Sequence, residues 1–238
     1  MKQLYEIFDQ TAHPNNVDDI YHIYNLSNAL NSVYWHFFLD LVENIEFDLI
    51  VECGVGRGRS LISILALENY FSLKNSRSFR NIFAFDSFEG FPEPTIFDES
   101  SRQSRKGEWS KSPSGKYNYS PDLIKQILIK ANINNLDKIS FFKGFFNDSI
   151  PLVDFRPIGI LHLDGDLYHS VLEPLNLLWD KVVIGGIVVI DDFVLNRKDS
   201  HNEDFPGARK AINDFLASND SFIIKESIRG TPYLLKIK

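Results

Sequence analysis

The stretch Asp48-Leu-Ile-Val-Glu-Cys-Gly-Val-Gly-Arg-Gly-Arg-Ser60 decides the fold class of this 238-residue chain. Its apolar run ends at Glu52, and three alternating glycines beginning at Gly54 lead into a helical pattern that reaches Phe71. A buried parallel strand that turns tightly into a helix has this composition, because glycine lets the backbone turn and approach a ligand closely. The stretch therefore predicts the first strand–turn–helix unit of an α/β sheet.

Strand and helix patterns alternate along the rest of the chain. Further strands are predicted at 81–86, 139–144, 158–164 and 187–191, and helices at 121–132, 168–179 and 207–217. Two last runs, 221–228 and 232–237, flank Arg-Gly-Thr and predict a closing hairpin with Pro232 on an edge strand. The predicted fold is thus a doubly wound α/β sheet, mostly parallel, with an antiparallel C-terminal strand.

Acidic residues stand at the carboxyl ends of the predicted strands, where such sheets bind ligands: Glu52, Asp86, Asp164 and Asp191. The densest groups are Asp164-Gly-Asp166 and Asp191-Asp192. Converging carboxylates need a cation, a proton or a cationic substrate to compensate their charge, and ligand sets made only of oxygen favour Mg²⁺, Ca²⁺ or Mn²⁺. We predict a metal site at Asp164, Asp191 and Asp192, with Asp166 as general base. Helix capping by Asp191 and Asp192 is the alternative.

Three histidines are weaker candidates. His162 alternates with Asp164 on its strand, and we interpret it as a hydrogen-bonded interior residue. His169 and His201 are possible bases or substrate contacts.

The glycine loop does not fit the common phosphate-binding patterns. A dinucleotide fingerprint would need glycine where Arg59 stands and an acid about 20 residues further on, and a P-loop would need Gly-Lys-Ser/Thr. An acid before the glycines suits an amino group, and Asp86 at the next strand end suits two ribose hydroxyls. S-adenosylmethionine carries both groups, so we predict it as the cofactor.

Composition limits the remaining choices. The net charge of −7 argues against a nucleic-acid partner and against docking on anionic lipid. The single cysteine, Cys53, excludes an internal disulfide and a thiolate zinc site. No signal-peptide core and no long apolar span is present, so we expect a cytoplasmic protein without a membrane partner.

Two segments lie outside the regular alternation. Residues 1–47 are predicted as an N-terminal helical extension that could contact a partner subunit in a homodimer or larger oligomer, and residues 48–238 as the main domain. Residues 92–121 are polar and irregular, as is typical of a functional lid. Aromatic residues within the lid, Trp109, Tyr117 and Tyr119, could stack on an acceptor.

Six blocks in order resemble the macrocin O-methyltransferase family. They are Glu52–Ser60, Ala84–Pro92, Lys143–Pro151, Leu161–Tyr168, Gly185–Asp192 and Gly207–Phe215. The resemblance implies a class I, Rossmann-like methyltransferase that uses S-adenosylmethionine and Mg²⁺ to methylate a hydroxyl of a sugar or glycosylated natural product. A catechol-type phenolic O-methyltransferase and, further off, a nicotinamide-dependent oxidoreductase remain alternatives.

The resemblance also implies roles for individual residues. Asp164, Asp191 and Asp192 match the metal ligands, and Asp166 matches a proposed base, with Asp164 beside it as a second catalytic residue. The implied cofactor contacts lie in the glycine loop, at the end of the second strand and after the third strand: Glu52, Gly54, Gly56, Ser60, Asp86, Ser87, Phe88, Gly144 and Phe145.

Overall fold

The structure is a computed structural model that describes residues 26–112, 115, 117–130, 133, 135–193 and 204–238. Within these residues, seven strands form one sheet in the order β3-β2-β1-β4-β5-β7-β6. The strands are β1 (Leu49–Cys53), β2 (Asn81–Asp86), β3 (Ile139–Lys143), β4 (Ile158–Leu163), β5 (Val182–Ile190), β6 (Phe222–Glu226) and β7 (Pro232–Lys236). Strands β1 to β5 are parallel, whereas β7 runs antiparallel to both β5 and β6. The predicted fold class is confirmed.

Helices cover both faces of the sheet. They are α1 (Leu26–Leu41), α2 (Arg59–Lys74), α3 (Pro121–Lys130), α4 (Phe146–Ser149), α5 (Tyr168–Leu178) and α6 (Pro206–Ser218). None of the helices in the described ranges is both long enough and apolar enough to cross a lipid bilayer.

Side chains of the central strands alternate between two separate hydrophobic cores. Ile50 and Ile160 face the core that α1, α2 and α3 build, with Trp35 among its buried residues. Val51 and Leu161 face the opposite core, which α5 and α6 complete. This period of two follows from the pleat of a strand and explains why the central strands are apolar on both faces.

Strand β5 begins earlier than the sequence indicated. The expected start at Ile187 is wrong, because the strand runs from Val182 through both glycines of the Gly185-Gly186 pair. The register against β4 shifts between Ile158 and Ile160, and Gly185 has φ +84°. The two glycines therefore lie in a bulge within the strand and do not mark its first residue.

The placement of Pro232 on an edge strand is also wrong. Strand β7 lies between β5 and β6, so β6 is the edge strand. Pro232 is the first residue of β7, and the pairing with β5 begins only at Tyr233. A proline is tolerated there because it opens the strand and its missing N–H is not needed in the ladder.

Helix α1 is fixed against the rest of the fold by packing and by ion pairs. Trp35 and Phe38 are fully buried in the core that α2 shares. Just beyond the helix, Glu43 accepts hydrogen bonds from Arg77 Nε at 2.6 Å and from Arg80 Nη1 at 2.9 Å. These arginines also contact the fully buried Glu68 of α2, so the ions neutralise one another. Residues 1–25 of the predicted extension lie outside the described residues.

The insert between β2 and α3 is docked on the domain through a buried aspartate. Asp98 accepts a hydrogen bond from the backbone N–H of Tyr168, the first residue of α5, at 2.7 Å. Its Oδ1 lies so close to Gly207 that a Cβ there would be 1.8 Å away. Ser100 adds a bond to the carbonyl of Asp204 at 2.9 Å. The insert is thereby tied to the starts of α5 and α6, beside the carboxyl edge of the sheet.

Candidate active site

A cavity of about 1030 Å³ opens at the carboxyl edge of the parallel strands. Most of the residues that the sequence singled out lie in its wall: Glu52, Gly54, Gly56, Ser60, Asp86, Ser87, Phe145, Asp164, Asp166, Asp191 and Asp192. Phe88 and Gly144 are outside that wall. One cavity therefore joins the predicted cofactor loop and the acidic strand ends.

The glycine loop passes directly against the end of β4. Gly54 has φ +97°, and a Cβ on it would lie 1.9 Å from the carbonyl oxygen of Asp164. Gly56 has φ +51°, and a Cβ there would meet nothing within 4 Å. Gly54 thus serves the close approach of two strand ends, whereas Gly56 leaves space beside the cavity.

Asp86 locks the loop to the end of β2. Its Oδ2 accepts from the N–H of Gly56 at 2.7 Å, and its Oδ1 accepts from the N–H of Phe88 at 2.5 Å. Burial raises the pKa of Asp86, while these backbone hydrogen bonds act in the opposite direction. Each carboxylate oxygen can accept a second bond, so both remain able to receive a hydroxyl.

The two residues after Asp86 have different surroundings. Ser87 lines the cavity, and its hydroxyl donates to the carbonyl of Gly90 at 2.8 Å. Phe88 adopts φ +52° and packs into the core that contains α1.

The segment after β3 forms a further part of the wall. Gly144 has φ +146°, and its N–H donates to the carbonyl of Asp86 at 3.0 Å. This bond holds the start of α4 next to β2 and places Phe145 in the cavity wall.

Glu52 lies at the floor of the cavity and is paired with a histidine. It is fully buried, and in the parallel register of β1 and β4 it stands opposite His162. Glu52 Oε1 and His162 Nδ1 are 3.2 Å apart. Burial raises the pKa of Glu52, and the hydrogen bond from His162 opposes that rise. The structure thus shows His162 as a hydrogen-bonded interior histidine.

The acidic strand ends bring three carboxylates together. Among the described residues, ligand oxygens of Asp164, Asp166 and Asp192 all lie within 4.8 Å of one another. The N–H of Asp166, which has φ +59°, donates to Asp192 Oδ2 at 3.2 Å. The predicted ligand Asp191 lines the same cavity but is outside this group, and the predicted base Asp166 is inside it.

The cluster carries more negative charge than its protein surroundings compensate. Burial, followed by the neighbouring Asp191 and Asp192, raises the pKa of Asp164 well above its usual range. Burial also raises the pKa values of Asp166 and Asp192, and the other acidic side chains add to the effect. Arg59 and Arg102 oppose the rise at Asp164 and Asp166 only as lesser contributions. A group of oxygen donors with raised pKa values fits a hard divalent cation such as Mg²⁺.

Of the other two histidine candidates, only His169 lies within the described residues. His169 lines the cavity, where its Nδ1 lies 3.7 Å from Glu173 Oε1. His201 lies outside the described residues.

Several cavity residues received no role from the sequence. Asn31 of α1 and the two arginines of the glycine loop, Arg57 and Arg59, belong to the wall. Burial lowers the pKa of Arg57, and a hydrogen bond with Tyr119 counteracts this. The arginines alternate with the glycines of the loop, and this pattern could have indicated that they line the cavity. No comparable pattern in the sequence indicates Asn31.

The insert contributes an aromatic wall. Trp109 lines the cavity with 57% of its surface exposed, and its ring stacks on Phe91 at a centroid distance of 6.0 Å. Two backbone hydrogen bonds of 2.9 Å join Phe91 to the segment before Trp109: the Phe91 N–H donates to the Glu108 carbonyl, and the Gly107 N–H donates to the Phe91 carbonyl. Of the other predicted lid aromatics, Tyr119 lines the cavity and Tyr117 does not.

Comparison with known proteins agrees with the resemblance found in the sequence. The family model described as Macrocin-O-methyltransferase (TylF) matches residues 23–223. Similar curated proteins include demethyldecarbamoylnovobiocin O-methyltransferase of Streptomyces niveus, at 26% identity over 74% of this chain and 61% of the relative. Mycinamicin III 3''-O-methyltransferase of Micromonospora griseorubida is 24% identical over 70% of this chain and 59% of the relative. The chain thus spans about three fifths of the length of these relatives.

Solved structures share the fold. A calicheamicin methyltransferase superimposes with a TM-score of 0.72 at 19% identity, over 99% of this chain and 90% of that one. The O-methyltransferase NovP gives a TM-score of 0.64 at 21% identity, over 89% of this chain and 80% of that one. The fold is therefore that of a class I methyltransferase, and with the family match over 23–223 the chain belongs to the macrocin O-methyltransferase family.

Proposed function

We propose that this protein transfers a methyl group from S-adenosylmethionine to a hydroxyl of a sugar or glycosylated natural product, with the help of Mg²⁺. The observation that carries the proposal is the single cavity whose wall holds both the glycine loop with Asp86 and the carboxylates of Asp164, Asp166 and Asp192. Family membership supports the reaction type. The acceptor class is supported by the name of a further relative, the 8-demethyl-8-(2,3-dimethoxy-alpha-L-rhamnosyl)-tetracenomycin-C 4'-O-methyltransferase of Streptomyces olivaceus, which includes a rhamnosyl group.

On the cofactor side, two acidic residues of the cavity wall would bind polar groups of S-adenosylmethionine. Glu52 would accept from the amino group, and Asp86 would accept from the ribose hydroxyls, next to Ser87 and Phe145. Gly54, Gly56 and Ser60 would form the surface beneath the cofactor. S-adenosylmethionine supplies an activated methyl group on a sulfonium, so the chain has only to hold it in line with the acceptor oxygen.

On the acceptor side, Asp164 and Asp192 would hold the metal ion, and either Asp166 or Asp191 would complete the set. A bound Mg²⁺ would supply Lewis-acid chemistry that lowers the pKa of an acceptor hydroxyl. Asp166 or, if it is a ligand, a neighbouring group such as His169 would accept the hydroxyl proton. Asp166 is the better base, because its carboxylate oxygen lies within 4.8 Å of those of Asp164 and Asp192, beside the proposed metal ion, whereas His169 Nδ1 lies 3.7 Å from Glu173.

The insert would close the acceptor side of the cavity. Trp109 offers an exposed ring that can stack on a sugar, and Phe91 supports that ring from behind. The insert would also exclude water from the reacting atoms.

A methyl-transfer assay tests the proposed function. Labelled S-adenosylmethionine is incubated with the protein, Mg²⁺ and a panel of sugar nucleotides, glycosides and catechols. We expect transfer to a sugar hydroxyl, a loss of about 10²-fold or more in EDTA, and recovery when Mg²⁺ is restored. Preferred transfer to catechols would support the phenolic alternative instead.

Variants in the same assay separate the metal ligands from the base. Asp191→Ala lowers the apparent affinity for Mg²⁺ if Asp191 is a ligand, and Asp166→Asn lowers turnover at saturating Mg²⁺ if Asp166 is the base. Activity that survives both EDTA and Asp191→Ala would contradict a catalytic role for the metal ion. Full turnover of Asp166→Asn would show that Asp166 is not the general base.

A further inference from the structure

Three buried polar atoms beneath the cavity have no hydrogen-bond partner among the described residues. They are Glu52 Oε2, His162 Nε2 and Trp35 Nε1. The three side chains are at most 1% exposed, and the Trp35 and His162 rings meet edge to face at a centroid distance of 4.7 Å and an angle of 82°. Buried polar groups without a hydrogen bond are rare because they raise the free energy of the folded state, so these three atoms need a physical explanation.

The chemistry of the pair decides which nitrogen carries the proton. Recognition of a cation requires Glu52 to be ionised, and an ionised carboxylate can only accept, so in that state His162 Nδ1 carries the proton and donates to Glu52 Oε1, at 3.2 Å. His162 Nε2 is then an acceptor that faces away from Glu52 in the ring. The Trp35 ring packs edge to face against the imidazole. This contact and the hydrogen bond to Glu52 together restrict the orientation of the imidazole.

The consequence for Glu52 is that its two oxygens are not equivalent. Oε1 accepts from the histidine, whereas Oε2 has no donor in the part of the chain that the structure describes, although Glu52 belongs to the cavity wall. A donor that enters the cavity can satisfy Oε2, and an ammonium group does so best, because it brings both a positive charge and N–H donors.

We propose that His162 is a positioning residue that fixes Glu52 so that Oε2 receives the amino group of the cofactor's amino-acid part. The inference rests on the proposed function and extends it, since it assigns the recognition of one end of the cofactor to a pair from two neighbouring strands. Trp35 of α1 secures the histidine ring, which links the N-terminal helix to cofactor binding.

Two ligands distinguish this role from a general contribution to folding. S-adenosylhomocysteine has the amino group, whereas 5'-methylthioadenosine keeps the adenosine and the thioether but lacks the whole amino-acid end. We expect His162→Phe, which keeps a ring but removes the donor, to weaken S-adenosylhomocysteine binding about tenfold or more, as loss of a hydrogen bond to a charged group does. Binding of 5'-methylthioadenosine should change by less than about twofold, because its contacts do not involve Glu52.

Matched variants complete the experiment, which is run by titration calorimetry on the full chain. His162→Asn keeps an N–H donor near the position of Nδ1 and should restore most of the lost affinity. Glu52→Gln should cause the same selective loss, and adding His162→Phe to it should cost little more, because the histidine acts through the glutamate. If His162→Phe does not fold, His162→Leu, which also removes the donor at Nδ1, takes its place in both titrations with the same expected selective loss.

Equal weakening of both ligands, or unchanged binding of S-adenosylhomocysteine in His162→Phe, would overturn the inference. A wild-type protein that binds 5'-methylthioadenosine no more weakly than S-adenosylhomocysteine would also overturn it. Wild-type protein that binds neither ligand would instead contradict the proposed function.

Discussion

Asp164→Asn is expected to lower the rate of methyl transfer by about 10³-fold or more and to leave the fold intact. Asp164 shares the carboxylate group with Asp166 and Asp192, so its loss removes a charge from the centre of the proposed metal site. Burial and, after it, the charges of Asp191 and Asp192 raise the pKa of Asp164, so replacing its carboxylate by a neutral amide removes both a buried charge and repulsion from the cluster. Thermal unfolding without Mg²⁺ should therefore occur at the same or a higher temperature.

A matched control distinguishes the loss of a carboxylate in the cluster from the loss of a negative charge elsewhere in the cavity wall. Asp148→Asn makes the same change at an exposed residue of the cavity wall outside the group of three. It should retain activity within a few-fold, and both variants should bind S-adenosylhomocysteine like the wild type. Equal losses in the two variants, or a marked destabilisation of Asp164→Asn, would contradict the assignment.

Gly54→Ala is expected to destabilise the fold by about 3 kcal/mol, which combines the strain of a positive φ with overpacking. The new Cβ would lie 1.9 Å from the carbonyl oxygen of Asp164, which is backbone and cannot rotate away. The ends of β1 and β4 would have to separate, so Asp164 would move and transfer activity would fall as well. Urea denaturation measures the stability, provided that the slope of the transition is unchanged.

Gly56→Ala is the control for this prediction. Its φ of +51° carries a cost of about 1 kcal/mol for alanine, but the Cβ meets no atom within 4 Å. The expected result is a small loss of stability with a larger loss of S-adenosylhomocysteine affinity, because the methyl group enters the proposed cofactor surface. Similar losses of stability in the two variants would show that the close contact of Gly54 with the Asp164 carbonyl is not the reason why glycine is needed at position 54.

Much of the fold was predictable because local patterns and sheet geometry agree. The apolar runs that lead to Glu52, Asp86 and Asp164 form neighbouring parallel strands, so these acids had to meet at one edge of the sheet. The start of β5 was not predictable in this way, because the bulge at Gly185 depends on the register with β4. The position of Pro232 likewise depends on strand order, which the sequence does not encode locally.

That most of the candidate site residues line one cavity could be predicted, whereas the residues that each of them contacts could not. Which carboxylate joins Asp164 and Asp192 depends on the backbone of Asp166, whose φ of +59° no pattern in the sequence specifies. The pairing of Glu52 with His162 depends on the register of β1 against β4, and the docking of the insert depends on Asp98 meeting α5. Such long-range contacts arise from tertiary packing, whereas periodicity reports only the local element.

Calorimetric titration with S-adenosylhomocysteine is the sharpest test of a cofactor site formed by the glycine loop and Asp86. We predict binding at one site per chain, a large loss of affinity in Asp86→Ala, which removes the carboxylate proposed for the ribose hydroxyls, and no binding of NADH. Absence of S-adenosylhomocysteine binding by the wild-type protein, or binding of NADH in its place, would show that this cavity is not an S-adenosylmethionine site.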